Sequence, residues 1–139
     1  MQPSPDRDAT VRTRRRRLLI AAAVVIVAGL AVHLLGNGPV ADFSGDALYA
    51  VLVYLVIAVV FARAASWAIG AATVVVCTLI ELFQLTGLPG AWAEAFWPVR
   101  LVLGTGFDAR DLIAYAVGAA AATVCDLILT RRSRARRAA

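Results

Sequence analysis

Glu81 and Gln84 stand three residues apart inside "VVVCTLIELFQL", residues 74–85, a run that is otherwise apolar apart from Thr78. At that spacing an acid and an amide share one helical face. Four and eight residues before Glu81, the same face carries Cys77 and Thr73. A second set follows: Asp108, Asp111 and Tyr115 succeed one another at spacings of three and four, again one face of a helix. A carboxylate in a low-dielectric setting can serve as a general acid or base. Two neighbouring carboxylates can take a divalent cation together with water or phosphate oxygens. An arginine holds an anionic group through paired hydrogen bonds. On these grounds the candidate catalytic residues are Glu81, Asp108 and Asp111. The candidate substrate-binding residues are Asp46, Gln84, Arg100 and Tyr115. The residues leave any metal or cofactor unassigned.

The elements that position these residues follow from composition. Hydrophobic residues make up 61% of the chain, against about 45–50% in soluble domains. They fall in blocks: Leu18–Leu35, Ala47–Ala62, Trp67–Leu88 and Leu112–Leu129. Each block is near the ~20 residues needed to cross a bilayer core as a helix. Backbone groups in lipid must satisfy one another, so each block is expected to be helical. The expected fold is all-α, a polytopic membrane protein of four transmembrane helices. The long connection at 89–109 carries Trp92, Phe96 and Trp97. It is expected to lie in the interface, or to re-enter it, between helices 3 and 4. The chain then divides into a disordered basic tail (1–17), the four-helix domain (18–130) and a second basic tail (131–139). No internal repeat supports an inverted-repeat transporter.

The net charge is +5, and all 14 basic residues are arginine. A pI near 10 raises nucleic acid as a partner, but the arginines cluster just outside the apolar blocks. Six precede Leu18, five follow Leu129 and Arg63 separates the second and third blocks. This is the bias of cytoplasmic flanks. It places both termini in the cytoplasm, predicts the lipid bilayer as partner and gives no reason to expect nucleic acid. The first apolar block exceeds a signal-peptide core and lacks an A-x-A-like site, so it is expected to remain as a span. With no lysine, one histidine and two cysteines, the chain has no P-loop, no lysine Schiff base and no zinc cluster.

With this orientation Asp46, Glu81, Gln84, Asp108 and Asp111 all lie toward the outer side, with Arg100 and Arg110 as the cations there. Arg100 is expected to pair with the acids. Asp126, at the opposite end, is expected to pair with Arg131 or Arg132. Simpler roles stand beside the chemical ones. Glu81 and Gln84 can serve as interhelical hydrogen bonds. Asp111 can favour a helix N-terminus, Asp46 can cap one, and His33 can be an interfacial residue. Gly118 and Ala122 form a small-xxx-small pair that lets helices approach closely.

Several of these residues also carry a resemblance. They are Gly45–Asp46, Glu81 with Gln84, Arg100, and the string G-T-x-F-D-x-x-D-x-x-x-Y-x-x-G from Gly104 to Gly118. Together they resemble the bacterial membrane proteins grouped as domain of unknown function 2809, distantly VanZ-like, over about residues 18–130. The resemblance implies a four-helix protein of the bacterial cytoplasmic membrane. It also implies that Asp46, Glu81, Gln84, Arg100, Asp108 and Asp111 form a shared polar site. The expected function is to bind or process a polar cell-envelope component, either a lipid head group or a lipid-linked or cell-wall precursor. The alternative is a non-enzymatic subunit or assembly factor with a membrane-protein partner.

Overall fold

The structure is a computed structural model and describes residues 5–104 and 106–138. Six helices follow one another: α1 (Pro5–Leu35), α2 (Pro39–Val60), α3 (Ser66–Gln84), α4 (Leu88–Ala95), α5 (Pro98–Leu103) and α6 (Ala109–Ala138). No strand occurs among the described residues. Four segments are long and apolar enough to cross a membrane: Ala9–Leu35, Pro39–Val60, Ser66–Gln84 and Ala109–Ser133. The shortest, with 19 residues, spans about 29 Å at 1.5 Å per residue, which matches a bilayer core. The chain is a multi-pass membrane protein with an all-α fold.

The four long helices run alternately up and down. Both termini therefore share one end of the bundle with the α2–α3 turn, here the terminal end. The α1–α2 loop, α4 and α5 occupy the other, the connector end. Helix α2 packs most extensively on α6 and then on α1, while α3 packs on α6 and α2. Only 6% of the α1 span is buried inside the protein, against 33% for α3 and for α6. Helix α1 is thus the peripheral one. Its Leu19, Val24, Val27 and Leu34 are exposed. In water each such side chain would forfeit about 1.5–3 kcal/mol of burial; against lipid it forfeits none.

Small residues set the closest approaches. A Cβ at Gly118 would overlap the carbonyl oxygen of Ala47, so α2 and α6 meet backbone to backbone at that point. A Cβ at Gly70 would strike Thr123 Oγ1, which brings α3 onto α6 in the same way. Such contacts suit helices in lipid, where close packing stands in for hydrophobic collapse. Ala122, one turn beyond Gly118, packs against the core of Leu18, Tyr54, Leu55, Ala58 and Ile69.

The boundaries differ from expectation in three places. Helix α1 begins at Pro5 and α6 runs to Ala138, so over the described residues both basic segments continue the helices. Helix α2 begins at Pro39, where the sequence suggested a loop reaching to Asp46. Proline at the first helical position has its φ pre-set and needs no N–H partner, and Gly38 before it adopts φ 81°. Asp46 therefore lies two turns inside α2 and caps nothing. The long connection folds into α4 and α5, joined through Phe96 and Trp97, and Trp92 stacks on Phe83 with ring centroids 5.6 Å apart. Residues 1–4 and 139 of the two tails, and Thr105 of the Gly104–Gly118 string, lie outside the described residues.

Candidate functional site

The face anticipated on α3 is the buried one. Thr73, Cys77 and Glu81 are fully buried, and Gln84 is 6% exposed. Thr73 satisfies itself by donating to the Ile69 carbonyl. Cys77 is a free thiol packed with Ala50 and Tyr115. Glu81 cannot satisfy itself and reaches α6. Its Oε1 accepts the backbone N–H of Asp108 at 2.6 Å, and its Oε2 accepts the Tyr115 hydroxyl at 3.3 Å. The carboxylate therefore fixes the start of α6 against the end of α3.

Asp108 is the residue immediately before α6, and its carboxylate caps that helix. Its Oδ1 accepts the N–H of Arg110 at 2.9 Å, one of the donors that a helix start leaves without a partner. Asp108 is exposed. Asp111 lies in the first turn of α6 and faces Asp46 of α2, with the two carboxyls in hydrogen-bonding reach of each other. Two carboxyl groups in that relation need a positive species between them, either a proton or a cation. Tyr49 is the neighbour that sequence reasoning missed. Its hydroxyl donates to the Val102 carbonyl of α5 at 2.6 Å, and its ring meets that of Tyr115 with centroids 6.1 Å apart. It lies three residues after Asp46 on α2, which was the available signal.

Gln84 ends α3. Its Nε2 donates to the Leu103 carbonyl at 2.6 Å. That acceptor fixes the amide's orientation, since Oε1 could not bond to a carbonyl oxygen. The Oε1 atom is left buried and without a partner. Gly104, at φ 66°, lets the chain pass there, because a Cβ would overlap Gln84 Nε2.

These groups border a cavity of about 640 Å³ between α1, α2, α3, α5 and α6 at the connector end. Asp46, Gln84, Arg100, Asp111 and Tyr115 line it, with His33 of α1. Glu81 and Asp108 do not. The structure thus brings together Asp46, Gln84, Asp111 and Tyr115, places Arg100 beside them, and sets Glu81 and Asp108 behind them as supports. Arg100 is exposed and forms no ion pair with the acids among the described residues, contrary to expectation; the carboxylates nearest the cavity already face one another or the start of α6. Among the described residues, no group of three or more His, Cys, Asp or Glu side chains is arranged to hold a metal ion.

A second polar cluster occupies the terminal end. Asp126 Oδ2 accepts from Arg14 Nη2 at 2.7 Å, Tyr54 OH at 2.9 Å and Ser66 Oγ at 2.7 Å. The expected partners of Asp126, Arg131 and Arg132, are displaced by Arg14 of α1. The helical continuation of α1 carries Arg14 alongside α6, whereas Arg131 and Arg132 are exposed. Arg14 Nη1 also donates to the carbonyls of Ala62 and Ala64 at 2.7 and 3.3 Å, and Arg15 Nε donates to that of Val59 at 3.1 Å. The end of α2, with carbonyls left over, is thus closed by arginines from α1. A larger cavity of about 1010 Å³ borders this end, lined by Arg12, Arg15 and Arg63 with Val60 and Phe61. It runs along the surface beside a turn whose acceptors are already occupied.

Comparison with known proteins adds one result. No curated protein and no solved structure matches the chain. The family described as "Protein of unknown function (DUF2809)" matches residues 35–119, a stretch that contains Asp46, Glu81, Gln84, Arg100, Asp108, Asp111 and Tyr115. That stretch is more than half of the chain, and the protein belongs to this family.

Proposed function

We propose that this protein binds the polar end of a membrane amphiphile, a lipid or a lipid-linked envelope precursor, in the cavity at the connector end. One observation carries the reading. Asp46, Asp111 and Arg100 line one cavity, so groups of both charge signs border a single space. The cavity continues from Asp46 and His33 to Val25, Leu48 and Leu52, so polar and apolar walls meet in one space. An amphiphile matches both.

The cavity opens on the extracytoplasmic side of the bacterial cytoplasmic membrane, since twelve of the 14 arginines flank the spans at the other end. Glu81 and Asp108 act as positioning residues. Each has its carboxylate engaged by backbone or tyrosine donors, and this holds Asp111 and Tyr115 in place.

Native mass spectrometry of the protein extracted with its lipids tests this directly. A retained amphiphile, lost on Asp46→Asn with Asp111→Asn, is expected. A stoichiometric protein partner and an empty cavity would instead support the subunit reading. Single substitutions Asp46→Cys, Gln84→Cys and Asp108→Cys, in a background lacking Cys77 and Cys125, should react with an impermeant thiol reagent added outside. Protection from outside with labelling from inside would overturn the orientation.

A further inference from the structure

The larger cavity, about 1010 Å³ at the terminal end, carries only positive charge among the described residues. Arg12 and Arg15 of α1 and Arg63 of the α2–α3 turn line it, with no acidic side chain among its described walls. Arg12 and Arg15 stand three residues apart and share one face of α1. Arg15 is already held in place, because its Nε donates to the Val59 carbonyl at 3.1 Å. Its Nη groups make no bond to the described residues and are left to donate elsewhere. Arg12 is exposed and forms no ion pair among the described residues. Like charges so close on one helix oppose each other. An anion set between them turns that cost into a gain, and a phosphate matches the guanidinium geometry.

The same hydrogen bond fixes the level of these cations along the bundle. Val59 lies in the last turn of α2, so the Arg15 guanidinium stands where an apolar span ends. The residues of α1 that line the cavity run from Ala9 to Arg15, about 9 Å at 1.5 Å per residue. The head-group layer on each face of a bilayer is about 5–8 Å deep, so the cavity has the depth of that layer. Val60 and Phe61 form its apolar wall and are 59% and 60% exposed. Toward the connector end the exposed apolar surface continues through Leu19, one turn beyond Arg15 on α1, and Val56, one turn before Val60 on α2. Phosphate-binding arginines above an apolar strip are the layout that a phospholipid presents in reverse. A nucleic acid would engage the arginines and leave the strip bare.

We infer that this cavity is a docking site for an anionic phospholipid of the leaflet at the terminal end, its phosphate held between Arg12 and Arg15 and its acyl chains laid along Phe61, Val60 and Leu19. A zwitterionic head group would bring its ammonium against the same arginines, so a lipid of net negative charge is selected. The site is separate from the connector-end cavity and does not depend on what that cavity binds.

Native mass spectrometry of the full-length protein in mild detergent, offered equal amounts of phosphatidylglycerol and phosphatidylcholine with matched chains, tests the assignment. Retention of the glycerol lipid is expected to exceed that of the choline lipid by about tenfold or more, as two arginines near a membrane surface warrant. Arg12→Gln with Arg15→Gln should reduce that preference to about twofold or less. Arg12→Gln alone keeps the bond from Arg15 to α2 and should still reduce it about threefold, which separates lost binding from lost folding. Arg131→Gln with Arg132→Gln removes the same charge at the same end, from exposed side chains that line neither cavity, and should leave the preference unchanged. Equal losses from the two arginine pairs would mean a diffuse basic belt and would overturn the site, as would equal retention of the two lipids or retention of neither. A preference abolished by Asp46→Asn with Asp111→Asn and untouched by the Arg12 and Arg15 changes would move the lipid to the connector end and overturn it too. Free glycerol phosphate is expected to compete at least about tenfold more weakly than the lipid; equal competition would overturn the lipid as its source. A short single-stranded RNA bound more tightly than the lipid through Arg12 and Arg15 would make nucleic acid the partner instead.

Discussion

The two polar clusters lie at opposite ends of one bundle and are built on opposite terms. At the terminal end a single carboxylate, Asp126, takes three donors, and one of them, Arg14, carries the balancing charge. At the connector end Asp46, Glu81 and Asp111 gather with no cation paired to them among the described residues, and Asp46 faces Asp111. Each cluster keeps one buried polar atom without a partner, Arg14 Nε and Gln84 Oε1. Arg14 borders neither cavity, whereas Gln84 lines one. The first arrangement balances its carboxylate with a guanidinium; the second gathers its acids without one, in a medium where charge is costly.

The contrast can be broken by substitution, beginning with the strongest effect. Asp126→Ala removes the acceptor that Arg14, Tyr54 and Ser66 share, leaving Arg14 only the Ala62 and Ala64 carbonyls and Tyr54 only the Ser66 carbonyl. Removing one partner of a largely buried pair costs about 3–5 kcal/mol, so unfolding in mixed micelles should shift by about that much. A loss below about 1 kcal/mol would mean that the terminal cluster is decoration. Glu81→Gln comes next. The amide oxygen still accepts one donor, but the charge that strengthens both bonds is gone, and a loss of about 1–2 kcal/mol is expected. The same measurement would detect it, and the amphiphile binding should fall as well, because α6 loses its anchor on α3.

Asp46→Asn sharpens the comparison through its sign. It removes one of two like-charged neighbours, so the ligand-free protein is expected to gain about 0.5–1 kcal/mol. Amphiphile retention should fall at the same time. Stability and binding moving together at Asp46, as they do at Glu81, would place Asp46 in the structural class and leave the connector end without a site.

Much of the fold was legible from block lengths and arginine positions, because the bilayer thickness and the insertion bias act directly on composition. The buried face of α3 was legible too. Thr73, Cys77, Glu81 and Gln84 follow the helical period, and all four are buried. The division of labour among the acids was not legible. Spacing puts Asp108 and Asp111 on one face, yet Asp108 falls outside the helix and caps it, whereas Asp111 falls inside and faces α2. That difference depends on where α6 begins. The terminal cluster was not legible, because Arg14 precedes the first apolar block, Tyr54 lies within the second and Ser66 in the turn before the third. Nothing local marks them; they become partners only through helices brought together from 112 and 72 residues away.

That sequence separation has a consequence for biogenesis. Arg14 leaves the ribosome long before Asp126 does, and the two then become neighbours at 2.7 Å. Until the last helix has been threaded, the first one has its guanidinium without a counter-ion, and only carbonyls around the α2–α3 bend engage it. A nascent chain stalled before residue 126 should therefore sit in the membrane as a loose set of inserted helices. Insertion of the final helix is then expected to lock the bundle by supplying the Asp126 counter-charge.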